Sequence, residues 1–171
     1  MLYVRGGFAE RLNPPGIGGS AAVWEDAAHY QLRPGADRFL EYEVPVAAHI
    51  GLGVAIDHAL AIGIESVAAR VQDLGAQLRR DLAAIDGVEV RDGGTRLSGI
   101  VTFTSEHATP AQLSERATAA GINVWVSNAP AARLDMTPPN STSVVRASPH
   151  YFNTGAELER LVHEVAAMAR S

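Results

Sequence analysis

Arg146 stands at the end of a short apolar run, Val144-Val145, and is followed by Ala147-Ser148-Pro149-His150-Tyr151-Phe152-Asn153-Thr154. A guanidinium placed there can take a carboxylate through two parallel, charge-assisted hydrogen bonds, each contributing roughly 1.5–3 kcal/mol. It can equally close a structural ion pair. The local sequence leaves both open. A second group with chemical potential is Gly18-Gly19-Ser20, at the end of the turn-rich run Asn13-Pro14-Pro15-Gly16-Ile17. Its backbone N–H groups and hydroxyl can cradle a phosphate, or the segment can be a plain turn. His150 is close enough in sequence to Arg146 to suggest a general base, but no acid sits at a spacing that would orient it, so it reads as a helix-entry histidine. Arg133 and Asp135 can contact a substrate or face water.

Absences narrow the chemistry further. The chain has no cysteine, which removes disulfides, thiolate metal sites and a cysteine nucleophile. All 14 Lys+Arg residues are arginine, so no side-chain amine is present to form a Schiff base, and arginine is too strongly basic to replace it. His49 and His58 have no metal-ligand spacing to an acid or to each other, and no metal site is expected. The net charge of −5 comes without a basic cluster, which gives no support to nucleic-acid binding. No apolar run reaches the roughly 20 residues of a spanning helix. A cytoplasmic protein without a membrane partner is the expectation. With 171 residues and 47% apolar content, the chain can bury a core of its own.

The elements that must position these groups follow from periodicity. Val144–Ala147 alternates as a strand, and a helix over Glu157–Ala169 starts at Thr154, with Glu157 three residues on completing a capping box. Upstream, Met1–Arg5 reads as a strand, Glu41 to about Ile62 as a buried helix rich in small residues, and Ile64–Ile85 as a long amphipathic helix after Gly63. In that second helix Arg70, Arg79 and Arg80 lie off the apolar stripe. Strands are predicted at Val88–Val90, Ile100–Thr104 and Ile122–Val126, with a helix opened by Thr109-Pro110-Ala111-Gln112 and stopped by Gly121. Asp92-Gly93-Gly94 is a turn. Trp24 and Tyr30 read as packing or interface aromatics. The fold class is α+β: long helices, then a small, mostly antiparallel sheet covered by helices on one face.

Arg146-Ala147-Ser148, the aromatic and Asn153-Thr154 before an acidic helix closely resemble the C-terminal signature of the class V aminotransferase family, pyridoxal 5'-phosphate enzymes of fold type I. Leu2-Tyr3-Val4 resembles the family strand that follows the cofactor lysine. The resemblance covers nearly the whole chain but only the second part of a complete enzyme. It implies that Arg146 binds the α-carboxylate of a small amino-acid substrate. It also implies that Gly18, Gly19 and Ser20 approach the cofactor, in the neighbouring subunit of a homodimer. The cofactor lysine is absent, so no catalytic residue is expected in this chain and the cofactor is not held covalently by it. Three segments are implied: residues 1–40, the tail of the large cofactor domain with its interface loop; 41–86, interdomain helices; and 87–171, the small C-terminal domain.

The pattern also departs from the family. Leu40 stands where many relatives continue Arg-Phe-Glu after the match to Arg38-Phe39, and Tyr42-Glu43 where desulfurase-like members place Gly-Thr. The loop Ser127–Asn140, which carries the persulfide-forming cysteine in desulfurases, has none here. Amino transfer, epimerisation and carbon–sulfur lysis are left, the middle of the chain being closest to the epimerase and lyase branches. The expectation is a fragment or decayed copy of such an enzyme. The alternative is a catalytically inactive, stand-alone module that binds a small acid or a partner subunit.

Overall fold

The computed structural model describes residues 2–134, 136 and 143–169. They form two compact units, residues 1–58 and 59–171. In the first unit a hairpin pairs β1 (Ala22–Trp24) with β2 (Tyr30–Leu32) antiparallel. Its loop is closed by Asp26, whose carboxylate accepts the backbone N–H groups of Ala28 and His29 at 2.7 and 2.9 Å. The sequence reading missed this hairpin because three-residue strands show no usable alternation. Trp24 and Tyr30 face each other across it, ring centroids 5.4 Å apart. Single 3-10 turns at Ala9–Arg11 and Gly35–Phe39 are tied by Glu10, which accepts the Gly35 N–H at 3.0 Å. The Arg38 side chain is buried with its Nε donating to the Arg33 carbonyl at 3.2 Å.

Two expectations for this half are corrected. Residues 2–5 are not a strand; among the described residues no neighbouring strand takes up their backbone groups, and a strand needs that pairing. The first helix, α1 (Val46–Ile62), is real but has no buried residue. Its apolar side chains surround the whole helix, a pattern that normally marks burial, yet Ile50 and Val54 are 65% and 66% exposed.

The second unit is built on α2 (Ile64–Ala83), which begins after Gly63 at φ +95. It continues through β3 (Val88–Val90), β4 (Val101–Ser105), α3 (Pro110–Ala119), β5 (Trp125–Asn128), β6 (Ser143–Ala147) and α4 (Gly155–Ala169). The strands form one antiparallel sheet in the order β3-β4-β6-β5. One face carries Val101, Phe103, Val145 and Ala147 into a core with Leu74, Leu78 and Leu82 of α2, Leu113 and Ala117 of α3, and Leu158, Leu161 and Val165 of α4. Each fully buried leucine contributes roughly 1.5–3 kcal/mol, so packing of its apolar stripe, more than helix propensity, holds α2 in place. The α+β class, with helices on one face of the sheet, is the one expected.

Strand β5 starts three residues later than predicted. The Ile122 N–H is taken by the Ala117 carbonyl at 2.8 Å as α3 ends through Gly121 at φ +72. Ile122 and Val124 therefore pack on the core without joining the ladder. Both predicted capping boxes form. In α3 the Gln112 N–H donates to Thr109 Oγ1 at 3.3 Å while Gln112 Oε1 accepts the Thr109 N–H at 2.9 Å. In α4 Glu157 Oε2 accepts the Thr154 N–H at 2.7 Å and the Glu157 N–H donates to Thr154 Oγ1 at 3.3 Å.

That cap makes a pH prediction. The Thr154 N–H, helped by the Thr154 hydroxyl and the Asn153 amide, holds the Glu157 carboxyl below its ordinary value. A carboxylate with a lowered folded pKa contributes stability that is complete above its unfolded pKa and is lost as pH falls through the folded one. Urea unfolding followed downward from neutral pH should therefore show a steeper acid decline in the wild type than in Glu157→Gln. Identical acid limbs would refute the cap's role.

Candidate functional site

The alternation along β6 decides where Arg146 goes. Val145 and Ala147 point to the helices, so Val144 and Arg146 point to the opposite face of the sheet. Arg146 is exposed on that open face. Its register partners are Thr102 on β4 and Trp125 on β5. Ser127 is the register partner of Val144 on the same face. The guanidinium lines a cleft of about 670 Å³ bounded also by Arg91, Arg96, Thr102, Ser127 and Val144. Among the described residues, the Arg146 side chain has no hydrogen-bond or ion-pair partner.

One wall of the cleft is the loop of residues 92–100, and it is fastened from the helix side. Arg79 Nε donates to Asp92 Oδ2 at 2.7 Å, with the two side chains 13% and 15% exposed. The same guanidinium donates through one terminal nitrogen to the carbonyls of Ser98 at 2.7 Å and Ile100 at 2.8 Å. Asp92 in turn accepts the Thr102 N–H at 3.0 Å, which ties the loop to β4 at the residue that faces Arg146. Two glycines let the backbones meet. A Cβ on Gly75 of α2 would lie 3.1 Å from the Ser98 carbonyl oxygen, and one on Gly99 would lie 3.0 Å from the Pro149 carbonyl oxygen and overlap Val71. Arg79 thus sits at the edge of the apolar stripe and works across it.

The other candidates lie elsewhere. His150 donates its backbone N–H to Asn153 Oδ1 at 2.8 Å, and its ring packs beside Tyr151 and Phe152 with centroids 4.8 and 5.2 Å away. It does not line the Arg146 cleft. The turn it belongs to is held to α2 by Arg70, which donates to the Asn153 carbonyl at 3.0 Å. Arg133 is exposed, and Asp135 lies outside the described residues. His49 and His58 are exposed on α1, and among the described residues no group of three His, Asp or Glu is placed to hold a metal ion.

Gly18, Gly19 and Ser20 form the turn that leads into β1, with the Ala21 N–H donating to the Gly18 carbonyl at 3.0 Å. Neither glycine has a positive φ, and a Cβ on either would make only ordinary contacts at 3.6 Å. The turn is therefore not a left-handed nest of the kind that wraps a phosphate. It offers the Ser20 hydroxyl and peptide N–H groups as separate donors. Covalent attachment of an aldehyde cofactor does not fit this chain, which contains no amine side chain.

The sequence reading did not reach the Arg79–Asp92 brace or Arg96. The available signals were an arginine at the margin of an apolar stripe and an aspartate directly before Gly93-Gly94.

The family model described as aminotransferase class-V matches residues 1–161. A probable cysteine desulfurase of Methanothermobacter thermautotrophicus is 27% identical over 98% of this chain and 44% of its own length. A probable hercynylcysteine sulfoxide lyase of Mycobacterium tuberculosis is 34% identical over 73% of this chain and 31% of its own. The chain thus spans less than half the length of these curated relatives. Among solved structures, the apo cysteine desulfurase of Thermococcus onnurineus is similar in fold, with a TM-score of 0.81 at 22% identity, covering 98% of this chain and 42% of that one.

Proposed function

This chain belongs to the class-V aminotransferase family, and from that premise we propose that it supplies the substrate-carboxylate site of a pyridoxal-phosphate enzyme that cleaves the carbon–sulfur bond of a cysteine-derived amino acid. The observation that carries the reading is Arg146: a guanidinium without a partner among the described residues, on a strand in the middle of a sheet, at the floor of a cleft. An unpaired guanidinium on a rigid strand is poised for a planar anion, and it fixes the orientation of whatever carboxylate it takes. Held at its carboxylate, an amino acid has few orientations left for its α-carbon. Bound pyridoxal phosphate supplies an electron sink for that carbon. The amine that anchors the cofactor comes from residues outside this chain. Ser20 and the N–H groups around Gly18 and Gly19 serve its phosphate from the neighbouring subunit of a cytoplasmic homodimer.

Carbon–sulfur cleavage is favoured by the names of the relatives, a desulfurase and a sulfoxide lyase. Between these, the lack of any cysteine speaks against sulfur transfer to a thiolate of this chain and for simple lysis. The complete enzyme given an S-substituted cysteine should release pyruvate and ammonium in equal amounts. Alanine as the main product would mean sulfur transfer and overturn the lyase assignment. A second reading, a binding module without catalysis, is favoured by the missing lysine; it predicts neither product from any protein that carries this chain.

A further inference from the structure

Among the described residues, the Arg146 cleft carries more arginines than one carboxylate requires. Three of its lining residues are arginines, and their bookkeeping differs. Arg91 is paired with Glu89 at 2.7 Å. Asp92, the acid among the described lining residues, is already taken by Arg79 at 2.7 Å and by the Thr102 N–H at 3.0 Å. Arg96 and Arg146 are then two cations in one cleft without an ion-pair partner among the described residues. Two like charges facing the same concavity repel each other and raise its positive potential, which is unfavourable for the empty protein and favourable for a ligand with two negative groups.

The loop that carries Arg96 is also anchored more firmly than a surface connection needs. Residues 92, 98 and 100 are all bonded to one guanidinium, Arg79. Arg96 is exposed but sits within this fastened segment, so the site is partly preorganised. Leu97, Leu134, Met136 and Val144 add an apolar stretch to the lining. The composition suits a chain with an anion at each end and carbon between.

We infer that the cleft selects a dianionic amino acid, whose α-carboxylate lies on Arg146 and whose side chain ends in a second acidic group held by Arg96. The inference rests on the reading of Arg146 given above and adds the substrate class. It assigns Arg96 as a residue that determines specificity.

The test compares L-norleucine with L-α-aminoadipate, two amino acids of equal chain length that differ in a terminal methyl against a terminal carboxylate. Both are titrated into this chain while the arginine Nε–Hε signals are followed by NMR. In the wild type, aminoadipate should bind about tenfold more tightly than norleucine, the value of one exposed charge-assisted contact. In Arg96→Gln that preference should collapse towards one, with the amide fingerprint of the fold unchanged because the residue is on the surface. A preference that survives in Arg96→Gln, or a wild type that does not discriminate, overturns the assignment of Arg96. Binding of both ligands undiminished in Arg146→Gln overturns instead the carboxylate role of Arg146, so the two failures are told apart.

Discussion

Arg146→Ala in the complete enzyme should lower kcat/KM for its amino-acid substrate by about a hundredfold or more. Two charge-assisted hydrogen bonds of roughly 1.5–3 kcal/mol each are lost together, and the bound carboxylate no longer fixes the α-carbon. Stability should hardly move. Arg146 is exposed and its side chain has no hydrogen-bond or ion-pair partner among the described residues, and substitutions of that kind usually stay within about 0.5 kcal/mol. The pair of outcomes is what separates binding from structure: a structural ion pair would cost stability, a substrate clamp costs turnover. Arg146→Lys should recover only part of the loss, since an ammonium offers a point charge in place of the planar fork. An unchanged kcat/KM in the alanine variant would dispose of the proposed role.

The second large effect belongs to Arg79. Arg79→Ala should destabilise the second unit by about 3 kcal/mol, the lower end for breaking a largely buried ion pair by removing one partner. The arithmetic is local. Three acceptors lose their donor, the Asp92 carboxylate and the carbonyls of Ser98 and Ile100, and Asp92 keeps only the Thr102 N–H. Loosening of residues 92–100 should also expose the peptide bond after Arg96 to trypsin, giving faster cleavage there under native conditions. Urea unfolding and a timed digest read the two effects separately. A change below about 0.5 kcal/mol with an unaltered digest would show that the brace holds nothing.

How much of this was legible in the residues can be traced element by element. The strand before Arg146 and the capped helix after it are local patterns. Thr154 and Glu157 are three residues apart and their bonds form where the sequence placed them. The exposure of Arg146 is not local. It follows from which of two alternating faces the helices cover, and that was decided by Phe103 and Leu78, far away in the chain. The Arg79–Asp92 pair spans 13 residues and a change of element, beyond the reach of helical spacing. For α1 the apolar pattern was read correctly, but burial depends on what surrounds a helix and its own residues do not encode that. The hairpin of β1 and β2 was missed for the opposite reason, too few residues to make a pattern.

The claim at the centre is that Arg146 recognises the α-carboxylate, and a cycle between protein and substrate tests it most directly. In the complete enzyme, kcat/KM is measured for an amino-acid substrate and for its carboxamide, in the wild type and in Arg146→Ala. Neutralising the carboxylate should cost the wild type about as much as removing the guanidinium does, and should cost the variant almost nothing more, because the two changes delete the same interaction. If the carboxamide is penalised equally in both proteins, the two groups act independently and Arg146 is not the carboxylate's partner.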